Sequence, residues 1–398
     1  MLNKFSQKDG VIYLYYLARF LVGLRFFIPI WLLFGLRFFD LSGLALIESI
    51  TYFVTVIVDV PSGALADIIG RKRVIIIGLA ILGLGHIFLG MSGTIWDYVL
   101  WSLLTNIGAS FIAGADTALL YDHLKEYGES EKFIKVQSFA ISFFRLGIII
   151  ASFLGGWLYN ILPALPFVIM GICELAAILC WIFIKEPKLD SEKFKWGNYI
   201  VKIRTGFTEI FKTESLRPLT AFYVLIGGIT LSSVYFFSFS YAWQLGFDAN
   251  AQSVLFGFSG IAKAIVAFTI GMLAVKFTRG KIFVWFAILA VLTYLPAAFA
   301  PLWLGVLIIT ASETLGSARM ALLDKFVNDE LSSQHRATAL SAINMLINLF
   351  YLILVGLGGL IANKYGTSVL YSIFGIILLL VALPLAIKLN SQNPQKNN

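Results

Sequence analysis

The sequence predicts an all-α integral membrane protein of twelve transmembrane helices in two pseudo-symmetric six-helix bundles, and three observations predict it. The 398-residue chain is 59% apolar and only 13% charged, with a mean hydropathy of +0.87, outside the range of soluble globular proteins. Apolar runs of spanning length, roughly 20 residues each, recur as six, a polar stretch, and six. The basic residues alternate between loops: of 30 Lys and Arg, 23 fall in one set of segments, while Arg37 and Lys364 alone fall in the other and Arg19, Arg25, Arg145, Lys263 and Arg319 lie within spans. Because Lys and Arg accumulate in loops that stay cytoplasmic, this places both termini inside, in a multi-pass protein of the cell membrane.

The elements follow in chain order. The runs of the first half fall near 11–36, 43–66, 74–93, 98–121, 134–158 and 164–185, and those of the second near 218–244, 251–275, 281–299, 302–324, 336–361 and 367–388. The first run is too long for a signal-peptide core and lacks a small-residue cleavage site, so it reads as a retained helix. Three segments result: a bundle over 1–185, a cytoplasmic linker over 186–217, and a bundle over 218–398. In the linker, Trp196, Tyr199, Ile200, Ile203, Phe207, Ile210 and Phe211 recur at helical spacing with Lys195, Lys202, Arg204 and Lys212 between them. That pattern describes a basic amphipathic helix on the inner membrane surface, acting as a tether or, alternatively, as a lipid or partner sensor.

Several function classes fall away. About 134 residues remain outside twelve spans of about 22, which leaves no room for a large soluble catalytic domain. The net charge of +8 sits in short loops rather than on one basic face, so nucleic acid is not the partner. Cys173 and Cys180 stand about 10 Å apart along one helix, too far for a disulfide. No phosphate-binding glycine loop and no metalloprotease or hydrolase motif occurs, so neither a cofactor nor an enzyme activity is indicated.

The loop after span 2 reads DVPSGALADIIGRKRV, residues 59–74. Gly63 lets the helix approach a neighbour, Asp67 and Arg71 are four apart, and Gly70 permits a turn before Arg71 and Arg73. These residues fit the G-x-x-x-D-x-x-G-R-[RK]-[RK] signature, and the chain resembles the major facilitator superfamily, whose fold is the six-plus-six arrangement. Ile68 stands where many members carry a basic residue. The resemblance implies an inner latch involving an acid on helix 4, here Asp122; the plainer reading is that the arginines only anchor the loop. A weak repeat echoes these parts in the second half. Gly271, Arg279 and Lys281 align with Gly63, Arg71 and Arg73, with Val275 in place of the Asp, and GSARMALLD ending at Asp324 echoes GADTALLYD ending at Asp122. Drug antiporters of the family carry G-P-x-x-G-G in helix 5; here Gly155 and Gly156 are kept and Ala151 and Ser152 replace Gly-Pro.

Ionisable groups inside a span are functional candidates by default. Arg25, Arg145, Lys263 and Glu313 fall near the midplane on helices that the resemblance places at the cavity, and their sum favours an anionic cargo. Glu313 is the candidate for proton coupling, or it pairs with a nearby cation across the halves. Arg19 lies about 240° around helix 1 from Arg25, so the two do not share one face and Arg19 snorkels inward. Glu174 reads as structural and His86 as a packing residue. Asp59 and Asp116 bond inner-face arginines or backbone. Tyr235 leads an aromatic set on span 7 that offers faces to an amphipathic cargo, and Gly227 with Gly228 gives that span room to flex.

The sequence therefore reads as a monomeric secondary transporter of small organic solutes working by alternating access, with proton-coupled efflux of amphipathic or acidic compounds preferred. Uptake or exchange of an organic anion is the alternative within that class. A lipid flippase or a ligand sensor that moves nothing is the alternative outside it.

Overall fold

A computed structural model describes residues 2–186, 204–212, 216–273, 279–331 and 336–391, all helical or in turns. The first half comprises α1 (Leu2–Gly23), α2 (Trp31–Gly35), α3 (Leu41–Ile69), α4 (Arg71–Gly90), α5 (Ile95–Ile112), α6 (Ala115–Glu126), α7 (Phe133–Ile161) and α8 (Leu165–Phe183). A short helix over 204–210 is α9. The second half comprises α10 (Leu216–Ser232), α11 (Ser238–Gln244), α12 (Ala249–Leu273), α13 (Arg279–Tyr294), α14 (Leu302–Glu330), α15 (Arg336–Tyr365), α16 (Thr367–Ile377) and α17 (Leu383–Ser391). Among the described residues, 10 helices are long and apolar enough to cross a membrane, and the shorter Gly10–Gly23 lies in α1. The remaining span is α14, whose Ser, Thr, Glu and Arg dilute its apolar run. These helices make up the twelve-helix arrangement.

Several spans are not the continuous α-helices their hydropathy suggests; span 12, for one, passes from α16 to α17 through a π-helical turn, Leu378–Ala382. Span 1 breaks between α1 and α2, because Pro29 donates no hydrogen bond and its ring conflicts with the carbonyl of residue 25. The Ile28 N–H instead donates to the Arg25 carbonyl at 3.2 Å and the Ile30 N–H to that of Phe27 at 2.9 Å. Span 4 breaks between α5 and α6, where Gly114 has φ +79°. Span 7 joins α10 to α11 through a π-helical turn, Ser233–Phe237. The start of α5 is fixed locally: the Thr94 side chain accepts the Asp97 N–H at 3.2 Å while the Asp97 carboxylate accepts the Thr94 N–H at 2.9 Å, a reciprocal cap. At the start of α3, Asp40 accepts the Gly43 N–H at 2.7 Å and the Ser42 hydroxyl at 2.8 Å.

The chain divides into two compact units. One comprises Met1–Phe39, Ile50–Phe194 and Asp248–Gly260; the other comprises Asp40–Ser49, Lys195–Phe247 and Ile261–Asn398. In the first, α4 packs on α5 and α8, and α1 on α7 and α8, around Tyr15, Leu79, Leu119, Leu124 and Trp181. Gly155 and Gly156 are close-approach positions, since a Cβ would lie 2.2 Å from the Phe26 carbonyl oxygen at the first and 2.1 Å from that of Ala249 at the second. In the second unit, α10 packs on α15 and α13 on α16 and α17. Gly227 and Gly228 sit under Ile347 and Phe350, so both are close-packing positions against α15. Of the linker, residues 186, 204–212 and 216–217 are described: Ile210 is buried and Gly206 lies against Thr338 and Ala342 of α15. Trp196, Tyr199, Ile200 and Ile203 lie outside the described residues.

Candidate functional site

The turn from α3 to α4 depends on Gly70, whose φ of +100° is strained for any residue with a Cβ. A Cβ there would also meet the Glu186 carboxylate at 2.7 Å. Glu186 accepts the Lys72 N–H at 3.3 Å, placing negative charge at the amino end of the 20-residue α4, where the helix dipole favours it. Lys72 Nζ donates to the Ile182 carbonyl at 2.7 Å, and Arg73 lies near that of Ile69. Arg71 forms an ion pair with Asp122 of α6. The turn is thus bound to α6 and to the end of α8, all within the first unit. Glu186 escaped the sequence reading because nothing in KEPK marks its carboxylate as folding back on α4. The close approach expected at Gly63 is absent, since a Cβ there would find nothing within 4 Å. The Asp67 side chain lies outside the described residues, as do those of Gly271, Arg279 and Asp324 in the second-half motif; Lys281 is exposed.

Deeper in the first unit, Arg19 pairs with Asp116 at 2.5 Å. Asp116 also accepts the Thr117 N–H at 2.6 Å, and Thr117, Gln137 and Tyr15 continue the chain of hydrogen bonds. Asp59 is exposed and stays apart from this cluster. The broken span overturns the predicted divergence of the two arginines: with no helix beyond Gly23, the Arg19 and Arg25 guanidinium groups lie 4.9 and 5.1 Å from the centre of one ring, Phe144. Arg145, next in sequence to that ring, is exposed.

His86 and Glu174 find each other. His86 Nδ1 lies 2.7 Å from Glu174 Oε2, both side chains are buried, and the other Glu174 oxygen has no hydrogen-bond partner among the described residues. Phe27, in the break of span 1, lies 5.4 Å from the imidazole with the two rings tilted by 43°.

In the second unit, Lys263 Nζ donates to Glu313 Oε2 at 2.6 Å. The lysine side chain is 30% exposed and the glutamate 2%, and Glu313 Oε1 has no hydrogen-bond partner among the described residues. The pair joins α12 to α14, so it lies within the second half and not across the halves. Ser312, beside Glu313, faces Ser238 at 3.3 Å, and Ser238 faces Tyr371 at the same distance. Tyr294 donates to Ser233 at 2.9 Å. The π turn of span 7 supplies Ser233 to this network and leaves Tyr235 51% exposed while Phe236 and Phe237 are buried. Tyr235 stacks edge-on against Tyr351 at 6.2 Å, and Tyr351 donates to Glu48 at 3.4 Å. A π turn inserts one residue into a helical register; the sequence shows only aromatics there. Most of the span 7 aromatics are core, and Tyr235 and Trp243 are the exceptions. No group of three or more His, Cys, Asp or Glu able to hold a metal occurs among the described residues.

Comparison with known proteins agrees with this architecture. The family model described as Major Facilitator Superfamily matches residues 11–262 and 241–398. Multidrug resistance protein 1 of Bacillus subtilis (strain 168) is 28% identical over 258 residues, 64% of this chain and 62% of that protein, so the match spans about three fifths of the relative's length. Inner membrane transport protein YajR of Escherichia coli (strain K12) is 40% identical over 102 residues, 24% of this chain and 22% of that one. Among solved structures, a mutant of the nucleoside transporter NupG superposes with a TM-score of 0.79 at 17% identity, covering 95% of this chain and 98% of the other. At such identity the likeness is one of fold.

Proposed function

Because the chain belongs to the major facilitator superfamily, a family of transporters and not enzymes, we propose that it exports amphipathic, acidic small solutes in exchange for protons, with Glu313 as the proton site. The observation that carries this is the buried Lys263–Glu313 pair. Neutralising one member of a desolvated ion pair strands the other charge at a cost of several kcal/mol, so a proton on Glu313 is strongly coupled to what surrounds Lys263. The vacant oxygen, Oε1, is where the proton is received. Protonation releases the Lys263 ammonium, the more exposed member, and leaves the second unit one positive charge richer, which favours an anionic cargo; deprotonation restores the pair and withdraws that charge. The multidrug-resistance relatives support an amphipathic cargo, as does the exposed ring of Tyr235.

The Arg71–Asp122 pair and the Glu186 contact support a latch role for the α3–α4 turn on the side carrying both termini, which the charge distribution places in the cytoplasm. The small-molecule cargo, the bilayer and the proton are the partners in this reading, and the chain acts as a monomer.

The test is flux in proteoliposomes enclosing a pH-sensitive dye, with anionic and cationic amphiphiles compared. The expected result is solute-dependent proton movement in the native protein and none with Glu313→Gln. Anion flux with no proton signal, stopped by Arg25→Ala, favours exchange or uptake of an organic anion instead, a reading supported by the Arg25 guanidinium 5.1 Å from the centre of the Phe144 ring. Lipid movement without solute movement favours a flippase.

A further inference from the structure

The charges within the spans are unevenly compensated. Arg19 has Asp116, Arg71 has Asp122 and Lys263 has Glu313. Arg319 on α14 is different. It is 6% exposed, and among the described residues no carboxylate lies within ion-pair distance of it. Its Nε is buried and has no acceptor among the described residues. Its guanidinium lies 5.3 Å from the centre of the Tyr223 ring, on α10 in the same unit. A ring face attracts a cation, but it accepts none of the in-plane N–H bonds that a guanidinium offers. A buried cation of this kind, with aromatic neighbours and no counter-charge among the described residues, is costly. A carboxylate or phosphate oxygen supplies what is missing, the counter-charge and the hydrogen-bond acceptor together.

We infer that Arg319, backed by Tyr223, is the anion-receiving position of the transporter, binding the carboxylate or phosphate group of an amphipathic cargo. This rests on the transport reading and deepens it. Arg319 follows Glu313 by six residues, about 9 Å along α14, so a bound anion and the proton on Glu313 occupy separate places on one helix. The carboxylate of the cargo therefore does not displace Glu313 from Lys263 by simple competition; the two charges act on α14 from different levels.

The experiment measures binding of dansylglycine and of its uncharged methyl ester to the purified full-length chain in phosphatidylcholine nanodiscs, read by dansyl fluorescence. The native protein is expected to prefer the acid by about tenfold or more, the worth of a charge-assisted hydrogen bond. Arg319→Gln is expected to remove that preference while leaving ester affinity within about twofold, and Arg319→Lys, which keeps the charge, to retain part of it. An unchanged acid-to-ester ratio in Arg319→Gln, or no preference in the native chain, overturns the assignment. Should Arg319→Gln fail to fold, Arg319→Lys decides: a ratio equal to that of the native chain is the overturning result. Phosphatidylglycerol added to the nanodiscs separates two sources of the anion. Competition with dansylglycine assigns a lipid headgroup and its absence a free solute, and either keeps Arg319 as the receiver. Flux of the same two probes in proteoliposomes distinguishes the failures: ester flux without acid preference leaves transport standing and removes Arg319, whereas acid preference with no flux of either probe leaves Arg319 standing and removes transport.

Discussion

The Lys263–Glu313 pair has a thermodynamic signature separate from its role in flux. Glu313→Gln leaves the Lys263 ammonium without its partner, and breaking a buried pair costs about 3–5 kcal/mol. The expected outcome is a clear fall in thermal unfolding temperature in detergent for either single substitution. The double variant Lys263→Met with Glu313→Met is expected to recover most of that loss without recovering proton movement; a double variant as unstable as the singles contradicts a desolvated pair. Gly70 gives a second residue-scale prediction. Gly70→Ala introduces both a disfavoured φ and a collision with Glu186, a strain of about 1–3 kcal/mol. Gly63→Ala meets open space and is expected to melt like the native chain. At this scale the sequence supplied the ionisable residues of the spans but not their partners. Lys263 and Glu313 are 50 positions apart and His86 and Glu174 are 88 apart, and no local pattern encodes which helix lies beside which.

Asp40 shows how one element's end responds to pH. Its carboxylate caps α3, and the Gly43 N–H, followed by the Ser42 hydroxyl, holds its pKa below the ordinary value, with the Asn363 amide adding to them. A depressed folded-state pKa stabilises the protein above the unfolded value of about 3.9, and that stability is lost as pH falls towards the folded pKa. Asp40→Ala is expected to cost about 1 kcal/mol at pH 7, and the gap in melting temperature to the native chain should narrow below about pH 4. A gap that stays constant down to pH 3 would show that the charge is irrelevant there. Element boundaries were legible where apolar runs met charge, yet the internal breaks were not. Pro29 was visible in the sequence, but high hydropathy on both sides made 11–36 look continuous. The π turn at Ser233–Phe237 leaves no mark on composition, because one extra residue in a long apolar helix changes its register and not its polarity.

For the whole molecule, the class and the family were readable because bilayer thickness imposes span length on every helix alike, and because the glycine and charged residues of the turn at 70–73 lie next to one another in the sequence. The orientation inferred from Lys and Arg remains to be measured. In a chain carrying Cys173→Ala and Cys180→Ala, a membrane-impermeant maleimide applied to intact cells is expected to label Lys364→Cys and to reach Glu131→Cys only after permeabilisation. The reverse pattern would invert the transport direction proposed above. The buried His86–Glu174 contact also bears on how the chain is made. An ionisable group at the centre of a helix opposes insertion by about 2.5–3.5 kcal/mol for Asp, Lys or Arg, so each of these two helices is less at home in lipid alone than its apolar residues suggest. Synthesis delivers α4 first, and α8 arrives about 90 residues later carrying the matching group. The contact sets one depth and one rotation for α8 against α4, and both of its members are already present once the first six spans have been made.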